Sequence, residues 1–235
     1  MKLFKLPLVL GILLTTSTAF AQSAEEVISK HLTAIGGADT WKKINTMKMS
    51  GSITAQGMEI PVTMTTVNKK GFRLDLTIMD ANNYQIVTDK EGWMFFPIQG
   101  QQKPEPMTAD DVKEMQDQLD IQGELVDYKT KGSKVEFLGK DDMEGTEVLK
   151  IKLIEKSGKE KTMFFDAGNY YKLKESQKLK ANGKEMEVAT TFSNFKKLPE
   201  GITVPFTIES PNGPVTLKSV EVNPKVEDKI FKPAL

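Results

Sequence analysis

Within residues 68–97 of this 235-residue chain, polar and apolar residues alternate strictly at 72–78. Phe72, Leu74, Leu76 and Ile78 point one way and Arg73, Asp75 and Thr77 the other. That two-residue period marks a strand with one apolar and one wet face. A second strand is expected at 84–88 and a third at 93–96. Upstream the period is helical. Ser23-Ala24-Glu25-Glu26 reads as a capping box, Val27, Ile28, Leu32 and Ile35 share a helical face, and Gly36-Gly37 stops the helix. A short helical turn at 40–44 carries Trp41. From Thr46 the period becomes two again: Met47, Met49 and Ile53, then Met58, Ile60, Val62 and Met64 after Gln56-Gly57. Pro61 in that run predicts an edge strand or a bulge.

Turn signals then recur at the spacing of an antiparallel meander, at Lys70-Gly71, Asn82-Asn83, Glu91-Gly92, Glu144-Gly145, Ser157-Gly158, Gly168-Asn169, Asn182-Gly183, Glu200-Gly201 and Asn212-Gly213. Asn182-Gly183 is the clearest hairpin among them. The count comes to about eleven strands. Residues 99–132 break the alternation. They carry Pro104, Pro106 and an N-cap pattern at Thr108, followed by Val112, Met115 and Leu119 on one helical face. The expectation is one mainly β domain, residues 22–235, split in the middle by a loop with a helix on it.

The chain opens with Lys2 and Lys5, an apolar run at 6–14 and Ala19-Phe20-Ala21, the three parts of a secretory signal. Residues 1–21 are therefore expected to be cleaved before Gln22, placing the mature protein in the periplasm with no membrane span. The apolar run is shorter than the ~20 residues a spanning helix needs. Without the two leader lysines, 30 basic residues face 32 acidic ones, and no concentrated basic surface is left for nucleic acid. With 31 lysines and one arginine, only Arg73 can grip a phosphate or carboxylate in bidentate fashion.

Catalytic chemistry has little to work with. The chain has no cysteine and one histidine, His31 in the first helix. No G-x-S-x-G elbow presents a serine, and no zinc site can be assembled from a single histidine. Glu25-Glu26 and Asp110-Asp111 sit in helix first turns, where negative charge favours the dipole. Asp141-Asp142 lies beside a turn. No enzyme, metal or cofactor is expected. The remaining resource is apolar: twelve Met and twelve Phe, spread over a sheet with few helices to cover it. Methionine adapts to ligands of variable shape. A curled sheet with a partly open apolar concavity, plugged and lidded by the two helices, accounts for both features.

Several segments resemble the outer-membrane lipoprotein-sorting (LolA/LolB-like) family of periplasmic carriers. They are the helix ending at Gly36-Gly37, Gly71-Phe-Arg-Leu-Asp-Leu76, the stretch 86–97, the insertion after it, Phe164-Phe-Asp166 with Tyr171-Lys-Leu173, and Phe192-Ser-Asn-Phe195 before Pro199-Glu-Gly201. The resemblance implies a half-open β-barrel with a helix-bearing lid over about 99–132. It also implies a monomeric, non-covalent carrier or chaperone for lipoprotein acyl chains or other lipids in outer-membrane lipoprotein sorting. Partners of that class would be lipoprotein export or acceptor proteins. By position, Leu74 and Leu76 match cavity-lining residues. The family's lid-holding arginine falls near Asn68, with Arg73 some five residues on. Val62, Met64, Leu74, Leu76, Ile78, Trp93 and Phe95 are the expected cavity residues, and Val112, Met115 and Leu119 the lid's apolar face. The alternative from a different class is a non-catalytic envelope interaction domain with a filled core.

Overall fold

A computed structural model of the chain describes residues 23–55, 57–181, 184–211 and 213–234. The expected leader and the turn residues Gln56, Asn182, Gly183 and Asn212 lie outside them. Two helices come first, α1 (Ala24–Ala34) and α2 (Ala38–Lys42). Ser23 caps α1, its hydroxyl accepting the Glu26 N–H at 3.1 Å. Gly36 ends the helix at φ 110°. A Cβ there would stand 2.4 Å from the Gly201 carbonyl oxygen, so the close approach of helix end to sheet admits glycine alone.

Six strands follow as a meander: β1 (Thr46–Ala55), β2 (Met58–Val67), β3 (Gly71–Ile78), β4 (Ala81–Thr88), β5 (Gly92–Phe95) and β6 (Glu105–Pro106). Residues 107–133 carry α3 (Ala109–Glu114) and a 3-10 turn, Gln116–Leu119. A second meander completes the chain: β7 (Lys134–Met143), β8 (Thr146–Ile154), β9 (Glu160–Asp166), β10 (Lys172–Ala181), β11 (Lys184–Lys197), β12 (Thr203–Ser210) and β13 (Gly213–Val222). β13 returns to pair with β1, so the two meanders form one curved, unclosed antiparallel sheet whose edges are β6 and β7. The mainly β single-sheet architecture is as expected. Thirteen strands are described where the pattern suggested about eleven; the surplus includes β6, whose two residues are too few to show a period.

Two local expectations fail. The turn after β3 is at Met79-Asp80, both with positive φ, the backbone of a tight hairpin, and not at Asn82-Asn83. Asn83 lies inside β4, fully buried, its amide donating to the Ala81 carbonyl at 2.9 Å. β2 is also an interior strand despite Pro61. Its ladder with β3 begins only at Val62, so Pro61 lies where β2 is locally unpaired on that side and no donor is missed.

Pairing register carries one face through all thirteen strands. On it lie Leu149, Ile151 and Leu153 of β8, Met163 and Phe165 of β9, Phe206 of β12, Leu217 of β13, Met47 of β1, Met64 of β2 and Leu74 of β3. This inner face receives α1, through Val27 and Ile28, and α2, through Trp41; Val126 and Leu125 come from the 107–133 segment. The outer face of β3–β5 is covered by the chain's own C-terminal strap, residues 223–234. Phe231 packs there with Tyr84 and Ile86. Arg73 fastens the strap: it grips Asp75 at 2.7–2.9 Å, donates to the Ile230 carbonyl at 2.9 Å and lies 4.5 Å from the Tyr84 ring centre. The Tyr84 hydroxyl in turn donates to the Ala234 carbonyl at 2.7 Å.

The seam between the meanders is tight. A register shift falls between Ser50 and Gly51 of β1, and a Cβ on Gly51 would sit 2.1 Å from the Thr216 carbonyl oxygen and 2.8 Å from the Leu217 Cα. Both are backbone atoms and cannot swing aside. Gly51→Ala is therefore expected to lower stability by about 2–3 kcal/mol, read as a shifted urea midpoint, whereas the half-buried neighbour change Ser50→Ala shifts it little.

Candidate functional site

The inner face is unevenly filled. On the β7–β9 side α1 buries it completely: Leu149, Ile151, Leu153, Met163 and Phe165 are at most 1% exposed. Toward β2 and β3 it is only half covered. Val62 is buried, but Met64, Leu74, Leu76 and Ile78 are only half-buried, and pairing sets Leu74 beside Met64 and Leu76 beside Val62. These five sequence-chosen residues thus form one apolar wall on the inner face.

Trp93 and Phe95 do not join it. β5 pairs Trp93 with Ile86 and Phe95 with Tyr84, on the outer face, where both pack near Phe231 under the C-terminal strap. The cause is register: Met94, paired with Gln85, takes the inner side. An apolar run on both faces of a strand cannot reveal which face is which.

A cavity of about 220 Å³ opens farther along the same face, between the helices and β10–β12. Its apolar walls are Leu32, Ile35, Trp41, Ile121, Phe192 and Val204, while His31, Glu124 and Lys172 form a polar end. The Ile35 carbonyl at the end of α1 accepts both the Trp41 indole N–H and the Thr203 N–H at 3.0 Å, fixing the two helices against β12. None of these residues was singled out for the site beforehand. The helical spacing of Leu32 and Ile35 was visible. Their meeting with Phe192 and Val204 was not, because it depends on the fold bringing distant segments together.

Segment 107–133 closes over the inner face and is tied to both meanders. On the first, the Asn68 side-chain oxygen accepts the Ile121 N–H at 3.2 Å, and the Lys69 N–H donates to the Leu119 carbonyl at 2.7 Å. Gln116 donates to the Thr88 carbonyl at 3.0 Å. Val112 and Leu119 are buried and Met115 is half-buried. The Asn68 side chain thus holds the backbone of this segment.

On the second meander the ties are ionic. Lys161, 5% exposed, reaches Glu124 at 2.8 Å, Glu155 at 3.3 Å and Asp117 at 3.4 Å; Lys172 reaches Glu175 at 2.6 Å and Glu124 at 3.3 Å. Burial alone would raise the Glu124 pKa, but Lys172 and Lys161 overcome it and hold the carboxyl at about 2. Both lysines are correspondingly held protonated: desolvation opposes their charge and the facing carboxylates outweigh it. Among the described residues no group of three or more His, Cys, Asp or Glu is placed to hold a metal.

His31 is the exception in this polar end. Desolvation lowers its pKa to about 4, against a 2.8 Å hydrogen bond to the Tyr170 carbonyl that favours the charged form. The folded protein thus keeps His31 neutral where an unfolded chain, with a pKa near 6.5, would protonate it. Stability is full above about pH 6.5 and falls toward pH 4, by about 2 kcal/mol at pH 5. As the chain has one histidine, urea unfolding between pH 6.5 and 5 should show this slope, and His31→Leu should flatten it.

No family model and no curated protein matches the chain, whereas solved structures do. A LolA superfamily protein from Nitrosomonas europaea aligns at a TM-score of 0.56 and 12% identity, over 90% of this chain and 98% of its own. A domain described as an outer membrane lipoprotein-sorting protein, from Vibrio parahaemolyticus, aligns at 0.55 and 12% identity, over 88% and 94%. A DUF1329 family protein from Desulfovibrio piger aligns at 0.51 and 10% identity, over 90% and 98%. At such identities the likeness is one of architecture: this chain has the fold of the LolA superfamily.

Proposed function

We propose that the protein is a periplasmic carrier that binds acyl chains of lipids or lipoproteins without covalent chemistry, in the traffic of lipoproteins toward the outer membrane. The observation that carries this reading is the half-covered inner face. From the 220 Å³ cavity, apolar side chains continue through Phe206 and Leu217 to Val62, Leu74 and Leu76, and the last two are still open to water. An acyl chain laid along such a wall gains ~0.8 kcal/mol for each methylene it buries. The similar domains are described as lipoprotein-sorting and LolA superfamily proteins, which agrees with a cargo of this kind. Export or acceptor proteins of the envelope would then be its partners.

Size argues for a moving lid. A ~150 Å³ cavity takes a benzene-sized molecule, so 220 Å³ takes a segment of an acyl chain. A whole chain needs residues 107–133, with Val112, Met115 and Leu119, to shift from the sheet. The same small volume favours the second reading, an envelope interaction domain with a nearly filled core.

Native mass spectrometry of protein recovered from the periplasm separates the two. The carrier reading expects co-purifying lipid or acylated protein, and a fluorescent fatty-acid probe that binds the emptied protein. Leu76→Glu, which sets a charge in the apolar wall, should weaken that probe at least about tenfold, with a retained cooperative unfolding transition as the check that the variant is folded. Absence of any lipid together with no probe binding would leave the filled-core reading standing.

A further inference from the structure

The polar end of the 220 Å³ cavity contains a buried acceptor that the protein leaves unused. The Tyr170 carbonyl can only accept, so its 2.8 Å bond to His31 requires the proton on Nδ1. Burial keeps the ring neutral, and a neutral ring protonated at Nδ1 carries a bare lone pair on Nε2. That nitrogen has no hydrogen-bond partner among the described residues. His31 is 7% exposed and lines the cavity, whereas Tyr170 does not. The ring therefore turns its Nδ1 edge to the connection between β9 and β10 and leaves its Nε2 edge to the cavity.

Glu124 and Lys172 stand at the same end. The Lys172 ammonium lies 4.9 Å from the ring centre of Phe192, a wall of the cavity, so a donor is present at its boundary. The charge of this end is nevertheless not positive. Its two cations, Lys161 and Lys172, already face Glu124, Glu175, Glu155 and Asp117. We infer that this end receives the hydroxyl of a small neutral head group, so that the cavity selects a hydroxyl-bearing amphiphile, a long-chain alcohol or a monoacylglycerol, over a fatty acid.

A hydroxyl gives its proton to His31 Nε2 and accepts from Lys172, using both kinds of group at once. A carboxylate meets the Nε2 lone pair and the Glu124 charge, and it must compete with Glu175 for the ammonium. An ether or ester oxygen accepts from Lys172 but has no proton for Nε2. A protonated amine satisfies Nε2 but sets a second ammonium beside Lys172. The arrangement also orients the ligand. With its head under α1, the chain leaves past Leu32, Ile35 and Val204 toward Phe206 and Leu217, and so toward the wall of β2 and β3. This rests on the carrier reading and narrows its ligand; a fatty-acid probe still binds, through its chain alone.

The test is a series of ligands with one chain length, decanol, decyl methyl ether and decanoate, titrated calorimetrically near neutral pH into the protein without residues 1–21. Decanol should bind about tenfold more tightly than the ether, although the ether is the more apolar of the two, and more tightly than decanoate. With one histidine in the chain, nitrogen-15 labelling gives a single pair of ring signals. Nε2 should resonate as an unprotonated nitrogen in the empty protein, then move upfield with decanol and stay in place with the ether. His31→Phe should abolish the preference for alcohol over ether, with a cooperative unfolding transition as the check on folding; the series on the unaltered protein decides the matter if that variant does not fold. The inference is overturned if the ether or decanoate binds as tightly as decanol, or if decanol binds without moving Nε2. Equal binding of all three leaves the carrier reading standing without it. No binding by decanol overturns it too, and if the fatty-acid probe also fails, the carrier reading falls with it.

Discussion

Pairing of the first strand with the last makes a single object of this chain. Each meander alone is a sheet with one apolar face and two free edges, and neither has enough helix to cover itself. Joining β1 to β13 aligns the two apolar faces, so α1, α2 and the 107–133 segment can fill one trough between them. The requirement is exacting, because a slip of one residue would turn every inner side chain of one half outward. The shift at Ser50/Gly51 absorbs the mismatch at the place where no side chain could fit. The apolar wall and the cavity both lie along the face that this seam makes continuous.

Coverage of that face follows from where the chain spends its apolar segments. α1 is short and amphipathic, and it saturates the β7–β9 side. The C-terminal strap goes to the outer face, drawn by Phe231 and held by Arg73 and Tyr84. Little is left for the inner side of β2 and β3, which stays half bare. The only arginine is thus spent on the fold, as a planar fork on a carboxylate and a tyrosine ring.

Much of this was legible in the chain. The two-residue period in 72–78 set the inner and outer sides of β3 correctly, and Thr108 and Ser23 marked helix starts that the structure keeps. Trp93 and Phe95 were misplaced because both faces of β5 are apolar, and only the neighbouring strand's register decides between them. Asn82-Asn83 looked like a turn because asparagine tolerates left-handed backbone. Met79-Asp80, which adopts it, offers only Asp80 as such a signal, beside a methionine. The cavity and the Lys161 cluster were illegible for a different reason. Their members come from α1, the 107–133 segment and β9–β12, and nothing local to any of them announces the others.

The two attachments of the 107–133 segment differ in kind, and the difference bears on how the trough can open. On the β2–β4 side it is held by neutral hydrogen bonds from Asn68, Lys69 and Gln116, each worth about 1 kcal/mol net. Water can replace those bonds as the segment lifts. On the β9–β10 side, withdrawing Glu124 would strip Lys161 of its nearest partner inside the protein, and breaking a buried pair costs about 3–5 kcal/mol. The polar ties of the segment are therefore cheaper to break on the first meander than on the second, although Val112 and Leu119 are buried there as well. That is the side where Leu74 and Leu76 lie half uncovered. An anchored edge, a more weakly tied edge and a half-covered wall beneath it fit the carrier proposed above.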